Sequence, residues 1–164
     1  MYLGDGLDEV TYPLERRLRT PPKIKVLEAL GAIADGRVAP TSGGFKVRSS
    51  TGERTYEVWV DLERGLVCSD DNGTKFRGYV GYPIIAVLML KGKLPFNEKL
   101  AEALKGIPWK KLNEEMKSYS KVMELIYAML RDKGIDRSEV DEFVNEVISS
   151  LKKLKLKKVC PENK

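Results

Sequence analysis

The chain has 164 residues, 42% apolar and 32% charged, with 29 Lys and Arg against 24 Asp and Glu. That suffices for one compact domain with a real core plus an appendage. With no His at all, the sequence excludes a Ser-His-Asp or Cys-His catalytic device and a histidine-bound catalytic zinc.

Gln is also missing, and together with the Lys, Glu and Arg usage this fits the cytoplasm of a hyperthermophile. No signal peptide is expected, because the first ten residues lack a basic start followed by an apolar block. The longest apolar run, Ile84 to Leu90, is too short to cross a bilayer. Cys68 and Cys160 could pair, but two cysteines in a cytosolic chain read as free small hydrophobes. Residues 149–164 hold six Lys and one Glu, which leaves 23 cations and 23 acids in residues 1–148. A second basic island, residues 75–96, has four cations and no acid. Two such islands suit a phosphate backbone.

In chain order, residues 1–22 read as a basic arm carrying Arg16, Arg17 and Arg19 and ending at Pro21-Pro22. The α+β domain is expected over residues 23–134. Its first helix, Lys23 to Ala34, has Ile24, Leu27, Leu30 and Ala34 at helical spacing and stops at Asp35-Gly36. From residue 37 to 80 the period changes to two. Phe45 and Val47 alternate with Lys46 and Arg48, and Tyr56, Val58 and Val60 alternate with Glu57, Trp59 and Asp61. Turns at Glu63-Arg64-Gly65 and Asp71-Asn72-Gly73 separate Leu66-Val67-Cys68 from Lys75–Tyr82. The pattern predicts a small antiparallel meander of about four strands, with Phe45, Val47, Tyr56, Val58 and Val60 facing the helices.

Helices follow. Pro83 sits in a first helical turn and Ile84 to Leu90 is apolar enough for a buried helix. Asn97 can cap a short helix to Leu104. Pro108 opens a longer helix carrying Trp109, Leu112, Met116, Tyr119, Met123, Ile126 and Leu130 as a core stripe, ended by Gly134. A last helix over 135–164 starts near Asp136 or Ser138. Val140, Val144, Val147, Leu151 and Leu154 repeat at four-three-four-three, the seam of a leucine-zipper-like coiled coil. It reads either as an oligomerisation helix or as one more amphipathic helix on the domain. Lys155-Leu156-Lys157-Lys158 is too charged to bury and leaves a basic tip.

Tyr56–Asp61, Val67–Asp70 and Gly81–Leu88 resemble the SWIM zinc layout, a Cys-x-Cys at a strand end and a Cys-x-His at a helix start. Only Cys68 stands as a thiol, while Asp70, Gly81 and Pro83 occupy the other ligand positions. One thiol and one carboxylate do not make a zinc site, so no metal is expected. Asp61, Glu63, Asp70 and Asp71 are dense carboxylates, but they lie at turns, where Asp and Asn bond their own backbone. Ser42-Gly43-Gly44 lacks the lysine and following helix of a P-loop. No enzyme and no cofactor are read from the chain.

A binding surface remains. In Lys75–Tyr82 cations and rings alternate, loosened by Gly78 and Gly81, a mixture that serves base stacking beside phosphate contacts. Trp59 stands on the polar face of its strand. It either lies under the N-terminal arm or the helix of Trp109, or it lines a cleft with Phe76, Tyr79 and Tyr82 rimmed by Lys46, Arg48, Arg54, Lys75 and Arg77. No groove-fitting recognition helix is evident, which favours single strands over duplex.

In size, order of parts, thermophile composition and the Val140-Val144-Val147-Leu151-Leu154 seam, the chain resembles the ThermoDBP family of archaeal single-stranded DNA-binding proteins. The resemblance implies a small α/β domain with an aromatic-floored, basic-rimmed cleft, followed by a helix that pairs protomers. The expected function is sequence-tolerant, non-catalytic binding of single-stranded DNA by a cytoplasmic homo-oligomer. The alternatives are a zinc-less SWIM-like interaction module in repair or recombination, and an RNA-binding protein.

Overall fold

Three of the strands anticipated from alternation form as expected in the computed structural model, which describes residues 16–160. They are β3 (Gly44–Arg48), β4 (Thr55–Asp61) and β5 (Leu66–Ser69), joined antiparallel with Phe45 opposite Val58 and Trp59 opposite Cys68. β2 (Val38–Thr41) pairs outside β3 and places Pro40 on the edge, where a missing N–H does no harm.

The small four-stranded antiparallel sheet is corrected to a six-stranded mixed one. β1 (Arg16–Arg17) and β6 (Lys157–Lys158) extend it, and the order is β1-β6-β5-β4-β3-β2. β6 runs parallel to β5 and antiparallel to β1. Such short, cationic strands carry no alternation of their own, since their place is set by neighbours far away in the sequence. Leu156 supplies the anchor. It is buried, its carbonyl accepts from Leu18 N at 3.0 Å, and Val159 N donates to Val67 O at 3.1 Å. The expected free basic tip is therefore part of the sheet. Of the expected arm, residues 1–15 lie outside the described residues, while Arg16 and Arg17 are in β1.

Cys68 and Cys160 form a disulfide with Cα atoms 5.0 Å apart, against the expectation of free thiols. β6 carries Cys160 alongside β5 and so brings the two together.

Helix α1 (Ile24–Ala34) lies against α2 (Tyr82–Leu90), and α2 packs on β4 and β5. Apolar on nearly every face, α2 buries every residue from Pro83 to Met89. α3 (Glu98–Ala103) is capped by Asn97, whose Oδ1 accepts from Leu100 N at 2.9 Å. The long helix expected from Pro108 breaks into α4 (Trp109–Met116) and α5 (Tyr119–Asp132). Lys117 turns left-handed at φ 54°, and Ser118 caps the new start by accepting from Lys121 N.

In α6 (Arg137–Leu154) the seam faces the protomer's own core. Val140, Val144, Val147 and Leu151 are buried and Leu154 is half-buried, with α1 and α5 as neighbours. A three-four repeat meets any apolar surface, and here that surface belongs to the same chain.

The Lys75–Tyr82 stretch is not a strand. Gly73–Arg77 forms a π-helical turn closed by Gly78 at φ +75°. Asp71 dictates it, since its carboxylate accepts from Thr74 N at 3.0 Å and from Thr74 Oγ1 at 2.9 Å. That local alternative outcompetes a ladder. The helix count among the described residues is six α-helices plus this turn, and none is long and apolar enough to cross a membrane.

Candidate functional site

Between the π-turn, the β3–β4 end of the sheet, α1 and α4 lies a cavity of about 310 Å³. Five of its eighteen lining residues are aromatic, set among charged and polar side chains. The rings of Tyr56 on β4 and Tyr82 on α2 meet edge to face, centroids 6.1 Å apart, a preferred aromatic geometry. Tyr79, Tyr119 and Trp109 are the other aromatic residues of the lining. Two glycines make room for this wall. A Cβ on Gly73 would stand 2.3 Å from the Tyr79 ring, and one on Gly81 would stand 2.0 Å from Asp71 Oδ2.

The polar groups of the interior are bonded to one another. Lys25 Nζ lies 3.1 Å from Glu28 Oε2, to which Asn113 Nδ2 also donates at 3.2 Å. Arg37 Nε donates to Asp35 Oδ2 at 3.1 Å. Asp71, already bonded to Thr74, also accepts from Ser69 Oγ, and Thr74 Oγ1 accepts from Gly81 N at 3.0 Å. Among the described residues two buried side-chain atoms stay unpartnered, Trp109 Nε1 and Asn113 Oδ1.

Electrostatics follow from this burial. Desolvation works against the Lys25 ammonium, but Glu28, with help from Tyr119 and Tyr79, outweighs it and raises its pKa above the ordinary lysine value. Burial likewise pushes the phenols of Tyr56, Tyr79 and Tyr82 up. The tyrosines are neutral rings with hydroxyl donors, poorly suited to act as nucleophiles at physiological pH.

The mouth is different. Arg54 lies 5.2 Å over the Tyr56 ring, and Arg77 ends the π-turn; neither makes an ion pair among the described residues. Lys110, the third cation here, is held by Glu114 at 2.6 Å and Glu53 at 3.2 Å. Beside the mouth Phe76 is 72% exposed, with Lys75 Nζ 5.3 Å above its ring.

Of the residues singled out from sequence, Arg54, Arg77, Tyr79 and Tyr82 converge on the cavity. Lys75 and Phe76 stand on the same turn outside it. Lys46 and Arg48 are exposed on β3, and Trp59 is half-buried on β4; none of the three lines it. The sequence reading missed Lys25, Glu28, Arg37 and the α4 residues Lys110 and Asn113, and it assigned Tyr56 and Tyr119 to the core. Lys25 and Glu28, oppositely charged at i and i+3 in an otherwise apolar helix, were the available signal. Cys68, the lone SWIM-like thiol, is in the disulfide.

Neither a curated protein nor a solved structure matches the chain. A family model, described as uncharacterised conserved protein UCP014422, matches residues 18–157. That span takes in β2 to β5 and the first residue of β6 but not β1, all helices of the described residues, and every residue lining the cavity. The chain belongs to the UCP014422 family of uncharacterised conserved proteins.

Proposed function

We propose that this protein binds single-stranded nucleic acid without catalysis and with little sequence preference, DNA before RNA. The observation that carries the reading is the pairing of Arg54 and Arg77, which make no ion pair among the described residues, with a tyrosine-lined cavity and the exposed Phe76 ring. Rings of this kind stack bases, and unpaired guanidinium groups hold phosphates in a fork.

The sheet edge supports the same reading. Arg16 and Arg17 are exposed on β1, which pairs with β6. Arg19 continues the basic path, since its guanidinium donates to the Arg77 carbonyl. The seam of α6 is occupied within its own protomer, so the proposal needs only one chain.

A cytoplasmic setting in a hyperthermophile accommodates the disulfide, because intracellular proteins of such organisms are rich in them. Titration of a labelled oligothymidine strand, with duplex and oligouridine as competitors, tests the reading. Saturable, salt-sensitive binding that duplex competes poorly supports it; absence of strand binding at low salt rejects it.

A further inference from the structure

The charges of the cavity are partitioned between interior and mouth. Inside, Lys25 is matched by Glu28, Arg37 by Asp35, and Asp71 by the hydroxyls of Ser69 and Thr74. Glu28, Arg37 and Asp71 are all more than nine-tenths buried. An anion placed among them would be desolvated beside the Glu28 and Asp71 carboxylates while Lys25 and Arg37 are already paired, which is strongly unfavourable. A flat, neutral group with hydrogen-bonding edges is not penalised in this way, and it has the unpartnered Trp109 Nε1 and Asn113 Oδ1 and the lining tyrosines Tyr56, Tyr79 and Tyr82 to meet.

At the mouth the preference reverses. Arg54 and Arg77 are exposed and lack acid partners among the described residues, so they favour an anion. The complementary molecule is a neutral aromatic heterocycle tied at short range to an anionic group. A volume of about 310 Å³ sits at the small end of the ~300–1,000 Å³ range of ligand pockets. It admits one such unit and no run of them.

We infer that the cavity holds a single nucleotide, its base among the tyrosines and its phosphate on Arg54 and Arg77. This rests on the strand-binding reading but goes beyond it. One base per protomer leaves the strand and enters the cavity, while its neighbours stay outside near Phe76. Free nucleoside monophosphates are therefore ligands in their own right and compete with the strand.

The chain has two tryptophans, so Trp59→Phe leaves Trp109, which lines the cavity, as the sole indole reporter. AMP, CMP, GMP and UMP are titrated separately into this variant by fluorescence and calorimetry, beside the matching nucleosides and inorganic phosphate. Expected are one site per chain, a change in Trp109 emission, and affinity at least about tenfold above that of nucleoside or phosphate alone. Arg54→Ala with Arg77→Ala should bring the monophosphates down to the nucleoside level. Asn72→Trp, at an exposed rim position, should abolish monophosphate binding and displace the flipped base.

If the strand binds while no monophosphate does, and Asn72→Trp leaves strand affinity unchanged, the single-nucleotide inference fails and strand binding stands. Inorganic phosphate binding as tightly as the monophosphates also overturns it. If neither strand nor monophosphate binds, both are rejected.

Discussion

Gly73 and Tyr79 are in contact across the π-turn so closely that the ring occupies the place of a side chain: a Cβ on Gly73 would lie 2.3 Å from Tyr79 Cε1. The wall of the cavity thus depends on a residue with nothing to display. Gly73→Ala should destabilise the fold by about 1–3 kcal/mol, the usual cost of overpacking, and lower the thermal midpoint. Gly43→Ala, where a Cβ would meet nothing within 4 Å, is the control and should leave the midpoint nearly unchanged.

Arg77 and Phe76 separate the two parts of the proposed interaction. Arg77→Ala should lower the slope of log affinity against log salt by about 0.7, the contribution of one phosphate on a single strand. Phe76→Ala should leave that slope alone and weaken binding by ~1–3 kcal/mol, the worth of one stacked base. Phe76 is exposed, so its removal should not change the unfolding midpoint. Matched salt series on the two variants check both.

How much of this was legible beforehand depends on where each signal lies in the chain. The β3–β4–β5 meander and α1 announce themselves because neighbouring residues share faces at a fixed period. The π-turn does not, because Asp71 bonding Thr74 is a side-chain event that alternation cannot register. Arg77, Tyr79 and Tyr82 were recognisable from residue type and spacing in one segment, and Arg54 as a cation in the β3–β4 turn of the meander. Lys25 and Glu28 showed only as an ion pair in an apolar helix, and Asn113 not at all, because it is 85 residues from the Glu28 it bonds. Long-range packing wrote that half of the cavity.

Tyr127 donates its hydroxyl to Asp141 Oδ1 at 2.5 Å. Burial, reinforced by that hydrogen bond, pushes its pKa from 10.0 up to about 12. Between those values the unfolded chain loses the phenolic proton first, so the native state binds more protons and stability falls as pH rises. Tyr127→Phe has no proton to lose and should flatten that decline without abolishing it, since Tyr56, Tyr79 and Tyr82 are raised as well. Denaturant midpoints across this alkaline range give the comparison.

The Cys68–Cys160 bridge spans a sequence separation of 92. Closing so long a loop restricts the unfolded chain, and its loss should cost about 2–5 kcal/mol. A thiol reductant, or Cys160→Ser, should therefore lower the denaturant midpoint. Hydrogen exchange should quicken first in β6, β1 and the π-turn, where Lys158 Nζ donates to the Thr74 and Lys75 carbonyls at 3.3 Å each. An unchanged exchange pattern in that corner would detach the bridge from the cavity wall.

The insertion of β6 between β1 and β5 also orders events during synthesis. Among the described residues β1 has its ladder partner only in β6, so within them it stays unpaired until residues 157 and 158 have left the ribosome. A nascent chain lacking them can assemble β2 to β5 and nothing wider, and its earliest strand is the last to be fixed.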